Sequence, residues 1–262
     1  MILDRFSLDG KVAIVTGSGR GIGRGIALAF AEAGAHVVCT ARTASEIEAV
    51  AAEVRDLGRR ALAIPCDVRE ADQVENMVAA AKQELGRVDI LVNNAGGGSY
   101  RPAMQTSERV WERTLQENLT TVFLCSKAVA AIMLEQEAGS IVNISSRESQ
   151  IPSLDMIAYG AAKAGVNSFT RTLAWELAPY VRVNAILPGV VWTESNARML
   201  GWMRDRIVDG TPLKRTGTPE DIALAAIYLA SSASDWVTGR TFEIDGGIEF
   251  MHSSAQDMAK ET

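Results

Sequence analysis

The sequence predicts a single doubly wound α/β domain, and three observations carry that expectation. Short Val- and Ile-rich runs alternate with longer amphipathic stretches from residue 11 to about 186, the runs are apolar almost throughout, and no Pro/Ser/Gly-rich linker or charge run divides the 262 residues. Unbroken apolar character marks strands buried on both faces, as in a parallel sheet. Right-handed crossovers then put helices on both sides. A chain that is 47% hydrophobic and 22% charged can supply the core this needs. The expected architecture is one domain over residues 1–262 with about seven strands and a polar tail at 251–262.

The first strand is expected at Val12 to Thr16. It runs into Thr16-Gly17-Ser18-Gly19-Arg20-Gly21-Ile22-Gly23, where a helix over Gly21 to Ala33 begins. Glycines at such a turn let backbone approach a pyrophosphate, and a helix N-terminus offers unpaired N–H groups and a positive dipole. The spacing of Gly17, Gly21 and Gly23 is G-x-x-x-G-x-G and fits no G-x-G-x-x-G window. Alone, it suits a tight connection as well as a phosphate site; its place after the first strand of an α/β chain favours dinucleotide binding in a Rossmann-like fold. No G-x-x-x-x-G-K-[ST] is present, which disfavours a nucleoside triphosphatase.

Further strands are expected at His36–Thr40, Ala61–Cys66, Val88–Val92, Ser140–Ser145, Val181–Ile186 and Arg240–Ile244. Helices are expected at Ala44–Leu57, Glu70–Leu85, Glu108–Glu135, broken near Asn118, and Met156–Ala178. The second strand ends Cys39-Thr40-Ala41-Arg42. NAD-specific folds usually carry an acid there to take the ribose hydroxyls. Here Arg42, with Arg20 from the glycine turn, could pair a 2'-phosphate instead. NADP(H) is favoured and NAD(H) is possible, while both arginines could also be solvated surface charge.

Tyr159 and Lys163 lie four apart on one helix face and share a micro-environment. Bringing a phenol from about 10 to near 7 takes roughly 4 kcal/mol. A cation at ~4 Å with an effective dielectric near 20 supplies about that much. The same pair also fits a helix whose Tyr packs and whose Lys is solvated, so the neighbouring motifs must decide.

Several function classes are disfavoured. A net charge of -6, with basic residues interspersed among acids, offers no field for nucleic acid. The first ten residues carry Asp4, Arg5 and Asp9 and lack a signal-like apolar core, and nowhere do 18 uncharged apolar residues run together, so no membrane span is expected. Cys39, Cys66 and Cys125 form no C-x-x-C and sit in apolar segments, which suits reduced thiols of a cytoplasmic protein. His36, expected to be packed, and His252, in the tail, are the two histidines, and no ligand cluster suggests a metal. The lack of a G-x-S-x-G elbow and of a convincing base histidine argues against serine hydrolysis.

On these motifs the chain resembles the short-chain dehydrogenase/reductase family over about residues 8 to 248. The matching features are the Thr16–Gly23 turn, Asn93-Asn94-Ala95-Gly96, Asn118, Ser146 with Tyr159 13 residues later and Lys163, and Pro188-Gly189 followed by Thr193. The spacing to Tyr159 selects Ser146 over the adjacent Ser145. The resemblance implies that Ser146 binds the substrate oxygen and that Tyr159 transfers the proton. It implies that Lys163 lowers the tyrosine pKa and holds the nicotinamide ribose, and that Asn118 fixes a water linking the lysine to solvent. It also implies that Asp67 and Val68 contact adenine and that Asn93, Ala95 and Gly96 line the cofactor cleft, joined by Gly17, Arg20, Gly21, Ile22, Gly23, Arg42, Pro188, Gly189 and Thr193.

The expected reaction is hydride transfer between a nicotinamide cofactor and a secondary alcohol or ketone. Val190, Val191, Trp192, Met199, Leu200, Trp202, Met203 and Ile207 fall where the family has a mobile lid, and suggest a bulky hydrophobic substrate such as a hydroxysteroid. The same residues could equally be core or subunit interface. Gly97-Gly98-Ser99-Tyr100 and Arg147-Glu148-Ser149-Gln150 are the expected other walls. The layout looks most like the bacterial hydroxysteroid dehydrogenase branch. A 3-oxoacyl thioester reductase or a sugar-alcohol dehydrogenase would share the same catalytic residues, and a catalytically silent dinucleotide sensor is the rival of another class. The resemblance also implies a homotetramer built through residues 108–135 and 156–178 and the final strand.

Overall fold

Seven of the apolar runs become strands of one sheet in the computed structural model, which describes residues 1–98 and 100–248. They are β1 (Val12–Thr16), β2 (His36–Ala41), β3 (Ala61–Pro65), β4 (Ile90–Asn93), β5 (Gly139–Ile144), β6 (Val181–Pro188) and β7 (Thr241–Ile244), in the order β3-β2-β1-β4-β5-β6-β7. Every pairing is parallel, and register sets Thr16 beside Thr40, Ala41 beside Pro65, and Asn93 beside Asn143. The carboxyl ends of the strands therefore share one edge. The order reverses between β1 and β4, which is where open α/β sheets bind ligands.

Although each strand is apolar throughout, successive side chains serve different layers. Ala13 and Val15 pack with α1 (Gly21–Glu32), α2 (Ala44–Asp56) and α9 (Pro219–Ala230) around Phe30, Ile47 and Ile222. Val12 and Ile14 pack with α3 (Ala71–Leu85), α5 (Thr121–Glu135) and α6 (Ile157–Glu176) around Met77, Val129 and Met133. The three cysteines are buried free thiols, and burial pushes Cys39 and Cys125 up to about 12. His36 is packed as expected, its Nδ1 accepting the Arg60 N–H at 3.1 Å.

Most boundaries shift by one or two residues. β4 starts later than expected because the Val88 N–H goes to the Gln136 side chain at 3.2 Å. The helix expected at 108–135 is broken as anticipated: α4 (Glu108–Leu115) meets α5 through a π-helical turn, Gln116–Thr120, that contains Asn118. By length and composition the stretch Glu108–Glu135 could cross a membrane, but Val122, Cys125, Val129 and Met133 bury one face of it in the core. α7 (Glu194–Leu200), α8 (Arg204–Gly210) and α9 lie between β6 and β7, a region where no helix was expected. Ser99, the tail from Met251 and His252 lie outside the described residues.

Candidate active site

At the end of β1 the glycine turn is pinned to β2. The Gly17 N–H donates to Thr40 O at 2.7 Å, and Ser18 Oγ accepts the Thr40 N–H at 2.9 Å. Gly17 and Gly21 have φ of 65° and 56°, where a side chain would be strained. A Cβ at Gly23 would lie 2.3 Å from Gly17 O, so the turn closes on itself only with glycine there. No side chain caps α1, which leaves its first N–H groups for a ligand.

Asn94 ties the neighbouring loop to this turn, its Nδ2 donating to Thr16 O at 2.9 Å and to Gly17 O at 3.2 Å. Asn93, expected in the cleft, is a correction. Its Nδ2 donates inward to Ser126 Oγ at 3.0 Å and Asn143 Oδ1 at 2.8 Å. Side chains alternate along a strand, so the adjacent asparagine takes the cleft position.

A cleft of about 820 Å³ runs along this edge. Gly17, Arg20, Gly21, Ile22, Arg42, Asp67, Val68, Ala95, Gly96, Ser146, Tyr159, Lys163, Pro188, Gly189 and Thr193 line it, and Gly23 packs against Gly17 in the turn. At one end Arg42 is exposed, while Arg20 approaches Glu46 at 3.8 Å. Asp67 is held below its ordinary value, chiefly by its hydrogen bonds from Arg69, which pairs with it at 2.5 Å. Glu46 and Arg69 also line this end, and sequence reasoning did not single them out; the Asp67-x-Arg69 spacing is the signal that could have found the second. The glycine cradle and the uncapped helix fit a nicotinamide dinucleotide.

At the other end α6 begins beside the tip of β5. Tyr159 sits in its first turn with Lys163 one turn on, the Lys163 Nζ 5.6 Å from the Tyr159 ring centroid. The ammonium donates to Ile144 O at 2.8 Å. Burial lowers Lys163 from 10.5 to about 8. Burial first and the Glu148 charge second raise Tyr159 above its ordinary value, against a hydrogen bond with Ser146 that lowers it. The direction is the reverse of the acidified tyrosine expected from the pair, because desolvation of the phenol dominates. The Tyr159 side chain is half-buried, and desolvation dominates its titration.

The choice of Ser146 agrees with the geometry, since Ser145 Oγ donates to Lys163 O at 3.1 Å and braces the helix instead. Ser146 Oγ faces the cleft and donates to the Glu148 carboxylate. Asn118 lies behind the cleft wall. Its Oδ1 accepts the Gly97 N–H at 3.0 Å, and its Nδ2 donates to Gly97 O at 2.8 Å and Thr114 O at 3.0 Å, so it fixes the Gly96-Gly97 loop through the π turn.

Of the expected walls, Gly97, Gly98, Tyr100 and Glu148 line the cleft. A Cβ at Gly98 would stand 3.1 Å from the Tyr159 ring. Arg147 turns away to Asp245 at 2.7 Å and Glu243 at 3.0 Å, and Ser149 Oγ turns to Ser146 O at 2.5 Å. From the lid segment Val190, Val191 and Leu200 face the cleft. Trp192 stacks on Arg204 at 4.9 Å, Met203 is buried, and Trp202 is exposed. Among the described residues no group of His, Cys, Asp and Glu could hold a metal.

A family model described as enoyl-(acyl carrier protein) reductase matches residues 17–249. The chain is 42% identical over 253 residues to an uncharacterized oxidoreductase of Mycobacterium tuberculosis, covering 95% of this chain and 96% of the relative. A 7α-hydroxysteroid dehydrogenase solved with NADH and 7-oxo glycochenodeoxycholic acid superposes with a TM-score of 0.92 at 35% identity, covering 95% of this chain and 99% of that one. A gluconate 5-dehydrogenase of Burkholderia cenocepacia J2315, solved with NADP and tartrate, gives 0.90 at 37% identity, covering 95% of this chain and 98% of that one.

Proposed function

The chain belongs to the short-chain dehydrogenase/reductase family and is an oxidoreductase of CH–OH groups, and from that premise we propose that it moves a hydride between NADP(H) and a polar, hydroxyl-bearing secondary alcohol or ketone. The observation that carries this reading is the convergence of Ser146, Tyr159 and Lys163 in the same cleft as the glycine turn. When bound, the nicotinamide supplies or accepts the hydride. Ser146 Oγ and the Tyr159 hydroxyl orient the substrate oxygen, and Tyr159 gives or takes its proton. Burial keeps Tyr159 protonated, which suits proton donation to a ketone. Lys163, near neutrality at about 8, stands behind it as a tunable charge. Arg20 and Arg42 at the far end favour a 2'-phosphate, with NAD(H) as the weaker cofactor.

The hydroxysteroid reading rests on an apolar lid, of which Val190, Val191 and Leu200 line the cleft among the described residues. Glu148, Tyr100 and Arg101 in the same cleft favour a sugar-alcohol type of substrate over a steroid or 3-oxoacyl thioester. Purified protein with NADPH or NADH and a panel of hydroxyketones, steroid ketones and acyl thioesters, followed at 340 nm, would test the reading. Tyr159→Phe should lower turnover on the order of 10³-fold with cofactor titration nearly unchanged. Wild-type rates in that variant would remove Tyr159 from the chemistry. Tight cofactor binding with no carbonyl reduced would favour a sensor.

Trp111, Phe123, Ile157 and Trp175 are exposed on α4, α5 and α6, and we propose that they are covered in a homotetramer. Light scattering at about four times 28.1 kDa is expected, and a monomer mass contradicts it. Three free buried thiols fit a reducing compartment such as the cytoplasm.

A further inference from the structure

Glu148 is a carboxylate beside the catalytic serine that the mechanism above does not use. The short turn that carries it, Arg147–Ser149, lies on the first turn of α6, where a Cβ at Gly160 would stand 2.9 Å from Glu148 O. That packing delivers the side chain into the cleft wall next to Ser146 and Tyr159. Its charge reaches Tyr159, Tyr100 and Lys163. Among the described residues no basic side chain pairs with it. Adjacent Arg147 is engaged by Asp245 and Glu243, and Lys163 by Ile144 O.

Resting on the proposed function, we propose that Glu148 determines specificity by accepting a hydrogen bond from a hydroxyl on the carbon next to the reacting one. The substrate class is then an α-hydroxyketone and its vicinal diol, and a carboxylate at that position is rejected. Ser146 Oγ has one proton; while Glu148 takes it, the Tyr159 hydroxyl can only donate to that oxygen, and toward a ketone Ser146 can only accept. A ketone oxygen is itself an acceptor and needs that proton. A substrate that brings its own hydroxyl donor to Glu148 releases it: the bond from Ser146 to Glu148 is exchanged for one from substrate to Glu148 and one from Ser146 to the carbonyl, with no covalent bond broken. A plain ketone must leave the Glu148 carboxylate short of a donor, and a hydrogen bond to a charged group is worth about tenfold or more in discrimination.

The test compares kcat/KM for 2-hydroxycyclohexanone, cyclohexanone and 2-oxocyclohexane carboxylate, with NADPH and with NADH, in wild type, Glu148→Ala and Glu148→Gln. The wild type should prefer the hydroxyketone over cyclohexanone by on the order of tenfold or more and reject the carboxylate. In Glu148→Ala the hydroxyketone preference should collapse toward unity. Glu148→Gln, which keeps an acceptor and loses the charge, should retain part of the preference and admit the carboxylate. NADPH titration of each variant separates a lost site from a lost fold. A wild type without the hydroxyketone preference, or variants that keep it unchanged, overturns the inference while leaving the oxidoreductase reading intact. No reduction of any ketone on the wider panel overturns that reading, and the inference falls with it.

Discussion

Lys163 shows at a single residue what it costs to bury a cation in a working site. It is 4% exposed, and burial lowers its pKa from 10.5 to about 8. Between those values the unfolded chain binds the proton more tightly than the folded one, so stability rises with pH across that window. Below about 8 the full penalty is present. Relative to Lys163→Met, the wild type should therefore gain on the order of 3 kcal/mol between pH 8 and 10.5, read from urea midpoints. The buried cysteines titrate alike in both proteins and cancel in the difference. A difference that stays flat with pH would show that Lys163 is not desolvated as described. Spacing put Tyr159 and Lys163 on one helix face and the neighbouring family motifs gave the pair its meaning; the direction of their pKa shifts was not legible, because desolvation depends on everything packed around them.

Among the elements, α9 illustrates how local chemistry starts a helix whose periodicity is obscure. Thr218 Oγ1 accepts the Asp221 N–H at 3.3 Å, Asp221 Oδ2 accepts the Thr218 N–H at 2.7 Å, and Pro219 occupies the first turn. Arg215 clamps both Asp221 oxygens at 2.7 Å and holds the carboxyl well below the usual range. A depressed carboxyl contributes stability that is present above its ordinary 3.8 and is lost as pH falls. Asp221→Asn should cost about 1 kcal/mol near neutrality, with the gap from wild type closing in acid, measured by denaturant unfolding. An equal gap at pH 7 and pH 2 would contradict the cap. The helix escaped the sequence reading because Ile222, Ala223, Ala226 and Leu229 are buried while Leu224 on the other side is exposed. Apolar residues all round leave no clear 3.6 period. Thr-Pro-Glu-Asp was the legible signal. Gly25 lets α1 meet its start, since a Cβ there would lie 2.7 Å from Pro219 Cβ.

Across the whole molecule, Arg147 joins the catalytic edge to the far side of the sheet. It leaves the tip of β5, passes β6 and reaches Glu243 on β7 and Asp245 just beyond it, with the Ile248 carbonyl accepting at 3.2 Å. Both Arg147 and Asp245 are 9% exposed by side chain. Removing one partner of a buried pair leaves the other charge uncompensated, so Arg147→Met should cost about 3–5 kcal/mol. Arg147→Met combined with Asp245→Asn should recover a substantial part of that loss in urea unfolding. A double variant as unstable as the sum of the singles would mean that the two charges do not act as a pair.

The sequence by itself determined the parallel doubly wound sheet and the glycine turn, because strand burial and turn geometry are local properties written in residue order, while the Ser146, Tyr159 and Lys163 set was picked out by its resemblance to the family's motifs. Only the tertiary structure decided between neighbours: Asn94 over Asn93 for the cleft, and Glu148 over Arg147 for its wall. Adjacent residues at a strand end or in a tight turn point to different sides, and which side is the cleft depends on register with strands far away in the chain. The same distance from local order explains the charges, for a phenol and an ammonium one turn apart are set as much by the surrounding protein as by each other.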